Sequence, residues 1–535
     1  MKRSKLFLPI CMTVLLSAVL YRLASTGNPV WHVTLFQDTA LIFLVVTLFR
    51  HLPRPRHAAD VAPNCSEPES KSPVGLLVAL VAGALTYSGT VPFFFICDDF
   101  DHLNLIRHPF MQSMWPQITK GQLDGSTFIF YRPLGFLSLF LDYRLWHNWA
   151  AGYHLTNLLL HLLCVAGLYF LCKQLGLRNE SCTVAALVFA VLPVNVQAVT
   201  WIACRFDQMA TTLGVWSVAF AARFRRTRQL TCYCVALLCM VLAIMSKESA
   251  YVIPVSLLAL ELIPVKEPTS RRSLAQRFGP LLGYAAFVLA LLLHRFRTFG
   301  GLGGYRIFDG KVIAKSDPLV SVAGIFLRAP GGTLFGYNWF QPHNWTLALA
   351  AGATAAVFLT LCLLAEISVF SSRIVWFSLL WVFVAAVPVH FYLWDPDPGL
   401  TYSRALYLGS IGASILVGLL FGQTFRGRRV SFAWTLALTV FLFVGVQHNL
   451  KAWRFVSGVS RAVLAHLDQK VPDPPPSAIF YINGTPDADY GVPFFHVGLE
   501  NAVRFNYSWR TDIHVNPQDT SELDARSPVF VFSFR

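Results

Sequence analysis

The chain has 535 residues, of which 55% are hydrophobic and only 13% are charged, and its mean hydropathy is +0.53. Soluble domains carry about 25% charged residues, so this composition excludes a soluble globule and predicts a polytopic membrane protein. The formal net charge of +15 is concentrated in short loops between apolar segments. That distribution is topogenic and does not form a nucleic-acid-binding face, so we expect membrane lipid and no nucleic acid as a partner.

The apolar segments predict about thirteen transmembrane helices, since a span needs roughly 20 apolar residues. An additional apolar stretch, 317–340, is broken by Pro330, Gly331 and Gly332 and is typical of a re-entrant or interfacial segment. The predicted spans lie near 6–23, 32–49, 74–95, 154–172, 181–199, 208–222, 230–246, 250–265, 278–294, 346–369, 374–393, 404–422 and 431–447.

Composition divides the chain into four regions. Residues 1–50 hold two N-terminal transmembrane helices, and 51–73 form a proline-containing cytoplasmic linker. Residues 74–447 hold the main transmembrane domain. Residues 448–535 become more polar and contain short β-favouring runs, which predicts a small mixed or β-rich extracytoplasmic appendage.

The short loops also predict the orientation of the chain. Lysine and arginine are abundant in alternate loops, for example Arg223 to Arg228 and Arg426 to Arg429, and those loops are therefore expected to be cytoplasmic. The opposite loops carry few basic residues, chiefly Arg22, Arg205, Lys247 and Arg404. We expect an integral multi-pass protein of the plasma (inner) membrane with its site on the extracytoplasmic face.

An acidic cluster follows the uncharged run Val74–Ile96. Asp98 and Asp99 are adjacent, and Asp101 comes two residues later. Acids where a chain leaves the membrane are costly unless they face water, a partner or a substrate. Because two adjacent carboxylates repel each other, one of the pair can have a raised pKa and act as a general base near neutral pH. A bound divalent cation would be expected at the same three aspartates, since hard cations prefer oxygen ligands.

Further polar residues are predicted at the same membrane face as the aspartates. A plainer interpretation of the helix face with His154 and Asn157 is a polar seam that holds helices together. A plainer interpretation of Arg205 and Asp207 is an exposed salt bridge within a loop. Their concentration at one face favours a binding site for donor and acceptor, formed by Arg132, His154, Asn157, Arg205, Asp207, Lys247, Glu248, Arg404 and Tyr407.

Cations and carboxylates at a membrane surface suit a phosphate-linked lipid. A polyprenyl phosphate keeps its headgroup at the interface and its tail in the bilayer. Arginine and lysine neutralise such a phosphate, and arginine can grip it through two hydrogen bonds. A carboxylate then serves as the base for an acceptor hydroxyl.

An ordered series of short motifs resembles integral-membrane glycosyltransferases of the GT-C fold, most closely the transmembrane part of the tetratricopeptide-repeat O-mannosyltransferases. The series covers roughly residues 74–422. It consists of Cys97-Asp98-Asp99, Tyr131-Arg132-Pro133-Leu134, Tyr153-His154-Leu155-Thr156-Asn157 through His161, Phe189-Ala190-Val191-Leu192-Pro193-Val194, Arg205-x-Asp207, Ser246-Lys247-Glu248 and Arg404-Ala405-Leu406-Tyr407.

The resemblance implies an all-α GT-C fold, amphipathic helices in the first large outer loop and a hexosyltransferase that uses a polyprenyl-phosphate sugar, with inversion at the sugar. By this analogy Asp98 or Asp99 is the catalytic base, and Arg404 and Lys247 contact the donor phosphate. The acceptor is a protein or a glycan.

The sequence departs from the family pattern at three motifs. Leu192 and Asn195 stand where the family has histidines around a proline, Cys204 opens its Gly-Arg-Ala-Asp motif, and Ser403 replaces a glutamate. An alternative function is a transporter or flippase of lipid-linked sugars. Transport predicts charged residues near mid-membrane, whereas the charges here lie at the outer ends of the spans.

Overall fold

The computed structural model describes residues 73–120, 122–124, 128–263, 274–299, 304–305, 307–308, 311–312, 333, 372–389, 400–424, 428–484, 488–489, 492–495, 498–517 and 527–534. The predicted N-terminal spans in 1–50, the linker except Pro73, the span at 346–369 and nearly all of the stretch 317–340 lie outside these residues.

Helices dominate the described part of the chain. In order they are α1 Val74–Tyr87, α2 Asp99–Ile106, α3 Phe110–Thr119, α4 Pro133–Trp146, α5 Ala150–Gln174, α6 Asn179–Ala190, α7 Val196–Thr200, α8 Arg205–Thr227, α9 Leu230–Ser246, α10 Ile253–Glu261, α11 Leu274–Phe299, α12 Arg373–Ala386, α13 Gly409–Thr424, α14 Arg428–Lys470 and α15 Leu499–Asn506. Short 3-10 turns at Pro193–Asn195, Ile202–Cys204, Glu248–Val252 and Leu400–Leu406 join several of them.

The strands are short and form four small sheets. They are β1 Gln122–Asp124, β2 Phe128–Phe130, β3 Gly304–Tyr305, β4 Ile307–Phe308, β5 Lys311–Val312, β6 Ile479–Asn483, β7 Ala488–Asp489, β8 Val492–Pro493, β9 His514–Val515 and β10 Val529–Ser533. Strands β1, β2 and β3 are antiparallel, whereas β6 lies between β10 and β9 with parallel pairing on both sides.

Two described helices are long and apolar enough to cross a membrane: Ala150–Gln174 and Phe278–Thr298. A third candidate is the pair Asn179–Ala190 and Pro193–Thr200, which is bent by 46°. Shorter apolar helices occur at Val74–Thr90, Leu230–Ser246, Arg373–Val389 and Gly409–Phe421. The chain is therefore mostly helical, as predicted, while the predicted number of thirteen spans stays a prediction.

The centre of the bundle is formed by α5, α6, α8 and α13. Helix α5 packs against α6 and α8, and α13 packs against α6 and α12. Two glycines of α13 permit its close contacts: a Cβ at Gly412 would lie 2.4 Å from the Ser378 carbonyl oxygen, and one at Gly418 would lie 2.5 Å from that of Ser181. Small residues at such crossings let membrane helices approach closely.

The break between α6 and α7 follows from Pro193, which has no N–H to continue the helix and disfavours helical backbone at Leu192. The chain therefore turns at the buried segment 191–204, where α7 packs against the Leu400–Leu406 turn and α14. This turn brings the polar residues of several helices together.

The C-terminal region is a mixed α/β unit that continues from α14. Helix α14 runs through residue 448, the predicted start of the appendage, and ends at Lys470. The first outer loop contains α2, α3 and α4 together with the β1–β2 hairpin, and α15 of the C-terminal unit packs on α2. The appendage is thus attached to the segment that carries the acidic cluster.

Candidate functional site

The two adjacent aspartates have different surroundings. Asp99 is 2% exposed, and both of its carboxylate oxygens accept backbone hydrogen bonds, from Ile96 N at 3.1 Å and Ala203 N at 3.0 Å. Burial and the neighbouring charge of Asp98 raise the pKa of the Asp99 carboxyl well above its usual value. Asp98 is half-buried and immediately precedes α2 without a side-chain capping bond. Asp99 therefore ties the acidic loop to the Ile202–Cys204 turn, while Asp98 is the more accessible carboxylate.

Four predicted site residues surround the Cys204 thiol. Burial raises the pKa of Cys204, and the charges of Arg404, Asp207, Lys247 and Asp98 all act on it. Lys247 Nζ donates to Asp207 Oδ2 at 2.6 Å. These side chains come from the acidic loop, the start of α8, the end of α9 and the Leu400–Leu406 turn. The fold thus gathers charges from distant parts of the chain.

A second ion pair lies next to the first. The Arg132 guanidinium donates two hydrogen bonds to the Glu248 carboxylate, one of them from Nε to Oε2 at 2.9 Å. Burial disfavours the Glu248 charge, but Arg132 outweighs it and lowers the pKa of Glu248 to about 2. Since Glu248 follows Lys247 directly, the two ion pairs are contiguous. We call Asp98, Arg132, Asp207, Lys247, Glu248 and Arg404 the charge cluster.

Arg404 is positioned from two sides. Its backbone N donates to Gln197 Oε1 at 2.8 Å, and its guanidinium carbon lies 5.0 Å from the centre of the Trp201 ring. An arginine over an indole face is stabilised by the cation–π interaction while its N–H groups stay at the ring edge. The guanidinium is half-buried and therefore suited to an anionic ligand.

Arg205 and Asn157 do not belong to the charge cluster. Arg205 is fully buried, and its three nitrogens donate to Asn157 Oδ1 at 2.8 Å, Asp142 Oδ2 at 2.5 Å and the Tyr153 carbonyl at 2.9 Å. Thr156 also donates to Asp142, at 2.9 Å. We call Arg205, Asp142, Asn157 and Tyr153 the Arg205 knot. Its hydrogen bonds join α4, α5 and α8 and engage each of the three arginine nitrogens, and the side chain is fully buried.

The two histidines of α5 are buried among helices. His161 shares a 2.8 Å hydrogen bond with the Tyr407 hydroxyl, so Tyr407 contributes to the contact between α5 and the start of α13. His154 is 3% exposed, and its ring lies 6.1 Å from that of Phe93. His161 agrees with the plainer interpretation of a polar seam, whereas neither ring nitrogen of the buried His154 makes a hydrogen bond among the described residues.

The remaining acid, Asp101, lies at the contact with the C-terminal unit. Its Oδ1 accepts from Asn501 Nδ2 at 2.7 Å, and burial raises the pKa of its carboxyl. The backbone N of Cys97 donates to the Phe494 carbonyl at 2.9 Å. The C-terminal unit therefore holds both ends of the acidic loop.

These contacts do not fit a metal ion at the three aspartates. Asp99 uses both oxygens for backbone N–H groups, and Asp101 uses one for Asn501. Among the residues that the structure describes, no three His, Cys, Asp or Glu side chains are grouped as metal ligands.

Several residues that sequence reasoning missed complete the arrangement. Asp142 neutralises Arg205, and the buried Arg295 of α11 acts on the charge of Glu248. Arg295 directly follows the predicted span 278–294, and the predicted topology puts that end of the span on the same face as the aspartates. Gln197 and Trp201 hold Arg404 from a turn that carries no charge, and only tertiary contacts identify them.

The predicted resemblance to the O-mannosyltransferases is confirmed by comparison with curated proteins. Protein O-mannosyl-transferase F38B6.6 of Caenorhabditis elegans is 25% identical over 194 residues, 34% of this chain and 27% of that protein. Human TMTC3 and mouse TMTC1, both named protein O-mannosyl-transferases, are 35% and 36% identical over 94 and 95 residues, 18% of this chain and 10% of each relative. The similarity therefore spans about a quarter or less of the relatives' lengths. No family model matches the chain.

Solved structures of two proteins are also similar. The archaeal oligosaccharyltransferase AglB from Archaeoglobus fulgidus, in complex with an inhibitory peptide and a dolichol-phosphate, has a TM-score of 0.46 and 13% identity. The alignment covers 83% of this chain and 64% of AglB. ArnT from Cupriavidus metallidurans, bound to undecaprenyl phosphate, has a TM-score of 0.35 and 14% identity, with 83% and 88% covered. Neither likeness bears on the chemistry of this chain.

Proposed function

We propose that the protein is a membrane glycosyltransferase that moves a hexose from a polyprenyl-phosphate donor to an acceptor hydroxyl on the extracytoplasmic face. The observation that carries the proposal is the charge cluster, in which Lys247 pairs with Asp207 at 2.6 Å and the charges of Arg404, Asp207, Lys247 and Asp98 act on the buried Cys204 thiol. The resemblance to proteins named O-mannosyltransferases supports mannose as the sugar and a protein hydroxyl as the acceptor.

Asp98 is the proposed base. Its carboxylate accepts the proton of the acceptor hydroxyl while the oxygen bonds to the anomeric carbon of the sugar. In the same step the bond from that carbon to the phosphate oxygen breaks, and the configuration inverts. Asp99 holds the loop through its two backbone hydrogen bonds and keeps Asp98 in place.

Arg404 and Lys247 are the proposed phosphate contacts. The donor carries one negative charge as a phosphodiester and gains a second as the monoester leaves. Cations fixed beside the phosphate therefore stabilise the transition state more than the bound donor. Asp207 orients Lys247 through the 2.6 Å ion pair, and Trp201 supports Arg404.

Incubation of the purified protein with a panel of polyprenyl-phosphate sugars and serine- or threonine-containing peptides tests the proposal. Mass spectrometry should record consumption of one donor and a matching mass gain on the acceptor. The Glu180→Gln variant is a control that should consume the donor like the wild-type protein. Glu180 is exposed and pairs only loosely with Arg178, at 3.6 Å.

A parallel assay in sealed vesicles separates transfer from transport. Movement of intact donor across the bilayer without any glycosylated product would contradict the transferase and support a flippase. Consumption of donor with formation of free polyprenyl phosphate is the result that we expect.

A further inference from the structure

Four buried polar side chains, two at the end of α7 and directly after it and two in α14, each have a polar atom without a hydrogen-bond partner. Within the part of the chain that the structure describes, Thr200 Oγ1, Trp201 Nε1, Asn449 Nδ2 and Trp453 Nε1 make no hydrogen bond. All four residues are at least nine-tenths buried, with exposed fractions from 1% to 5%. We call these four residues the indole junction.

The two indole rings of the junction are in contact, and Thr200 and Asn449 lie on the same two packed segments of the chain. The Trp201 and Trp453 rings are 6.2 Å apart at 46°. Thr200 precedes Trp201 in the chain, and Asn449 lies four residues before Trp453, on the same face of α14. Helix α7, which ends at Thr200, packs against both α14 and the Leu400–Leu406 turn.

Leaving these groups unsatisfied is energetically unfavourable. A buried donor without a partner costs about 1–3 kcal/mol, so four of them at one place are not explained by core packing. None of the four is ionised at neutral pH, and the nearby formal charge is Arg404, 5.0 Å from the Trp201 ring. A matching ligand therefore has an uncharged part that is rich in hydroxyl groups and an anionic group toward Arg404.

The junction is continuous with the charge cluster. Cys204 N donates to the Trp201 carbonyl at 3.0 Å, so Trp201 of the indole junction and the thiol on which the four charges act belong to one tight turn. A ligand that contacts the indole N–H groups and Arg404 would therefore lie beside the turn that carries Cys204. An isoprenoid tail has no hydroxyl groups and does not fit the donors.

We propose that the indole junction is the subsite for the hexose of the lipid-linked donor, an inference that rests on the proposed function. The hydroxyl groups of the sugar would accept from Trp201, Trp453 and Asn449, and its apolar ring face would lie against an indole. The lipid phosphate would then be held by Arg404 at the edge of the subsite.

Binding of two lipids to the full-length protein tests this subsite. One probe is a polyprenyl phosphate, and the other is the same lipid esterified with mannose. Trp201→Phe and Trp453→Phe each keep an aromatic ring and remove one N–H, and Thr200→Val removes a hydroxyl at nearly constant size. We expect each to weaken binding of the mannosyl lipid about five- to tenfold, the effect of one lost hydrogen bond, without changing that of the bare phosphate.

Trp381→Phe is the matched control. Trp381 is 2% exposed, but its Nε1 already donates to the Leu408 carbonyl at 2.9 Å. Loss of this N–H group should lower the melting temperature of the protein and leave its affinity for both lipids unchanged. The melting temperatures of all variants identify any that fail to fold, and Thr200→Val preserves the test in that case.

The outcomes separate the subsite from the wider proposal. Unchanged binding of the mannosyl lipid in all three variants would overturn the subsite, as would an equal loss for both lipids. If the wild-type protein binds neither lipid, the proposed function itself fails. A loss confined to the mannosyl lipid supports both.

Discussion

The Arg205 knot and the charge cluster are built from the same residue types but differ in how deeply their cations are buried. Arg205 is fully buried and donates from all three nitrogens to protein acceptors. Lys247 and Arg404 are half-buried and lie where several charges act on one thiol. An arginine that is fully buried and bonded to protein acceptors stabilises the bundle. Cations at a less buried end of the bundle are able to bind an anion. Charge type alone does not distinguish these roles.

Removing the centre of the Arg205 knot should have the largest effect. Arg205→Ala leaves the buried Asp142 carboxylate without its cation, and we expect a loss of about 3–5 kcal/mol in stability. Thermal unfolding in detergent measures it. The double variant Arg205→Met with Asp142→Leu should recover most of the loss, because an apolar pair needs no compensation. If the Arg205→Ala protein is stable but binds the donor more weakly, the structural role is wrong and Arg205 belongs to the donor-binding site.

Removing a cation from the charge cluster should instead affect the donor. Arg404→Ala is expected to raise the KM for the lipid donor about ten- to a hundredfold, since a hydrogen bond to a charged group contributes about 1.5–3 kcal/mol. Arg373→Ala, at the other end of the bundle by the predicted topology, is the control. Steady-state kinetics at varied donor concentration measure this KM. An unchanged KM in the Arg404→Ala variant would count against phosphate binding by Arg404.

The charge cluster also depends on the contact between the C-terminal unit and the acidic loop, whereas the Arg205 knot does not. Gly498 has a φ of +84°, and a Cβ there would lie 2.4 Å from the Cys97 carbonyl oxygen. Gly498→Ala should destabilise the contact between the C-terminal unit and the acidic loop by about 1–2 kcal/mol. Limited proteolysis should then cleave the C-terminal unit sooner. Gly458→Ala, in α14 with nothing within 4 Å, should leave cleavage unchanged.

The Arg132–Glu248 pair should give the smallest effect, visible only at acidic pH. The pKa of Glu248 falls from 4.5 to about 2 in the folded protein. A carboxyl whose pKa is lower in the folded than in the unfolded protein stabilises the fold at pH values above its unfolded pKa. That stability is lost as the pH falls through the folded pKa. We therefore expect wild type to lose about 1 kcal/mol more than Glu248→Gln on acidification from about pH 6 to about pH 2, allowing for partial exposure. Equal losses in both proteins would contradict the ion pair.

Much of the helical architecture could be predicted because long apolar runs require helices in a bilayer. The grouping of the charged residues was predicted from their order in the chain. The break at Pro193 was not predicted, because the apolar run 181–199 was interpreted as one continuous span, although the proline explains the break. The continuation of α14 to Lys470 was not predicted, because the polar residues after His448 resemble a loop when their packing partners are unknown.

The candidate site was predictable only in part. The order of the motifs placed Asp98, Lys247 and Arg404 on one face, but sequence could not distinguish Asp98 from Asp99, since that distinction depends on the backbone N–H groups of Ile96 and Ala203. Arg205 has the same appearance in sequence as a ligand-binding arginine. Its partner Asp142 lies 63 positions away, and nothing local connects the two.

The most direct test of the account compares Asp98→Asn with Asp99→Asn in single-turnover transfer from the lipid-linked sugar. We expect Asp98→Asn to melt near the wild-type temperature and to lose transfer by at least about a hundredfold, because the base is gone. Asp99→Asn should melt earlier, since it disturbs the anchor of the loop. Wild-type transfer by a folded Asp98→Asn protein would contradict the central role of that carboxylate.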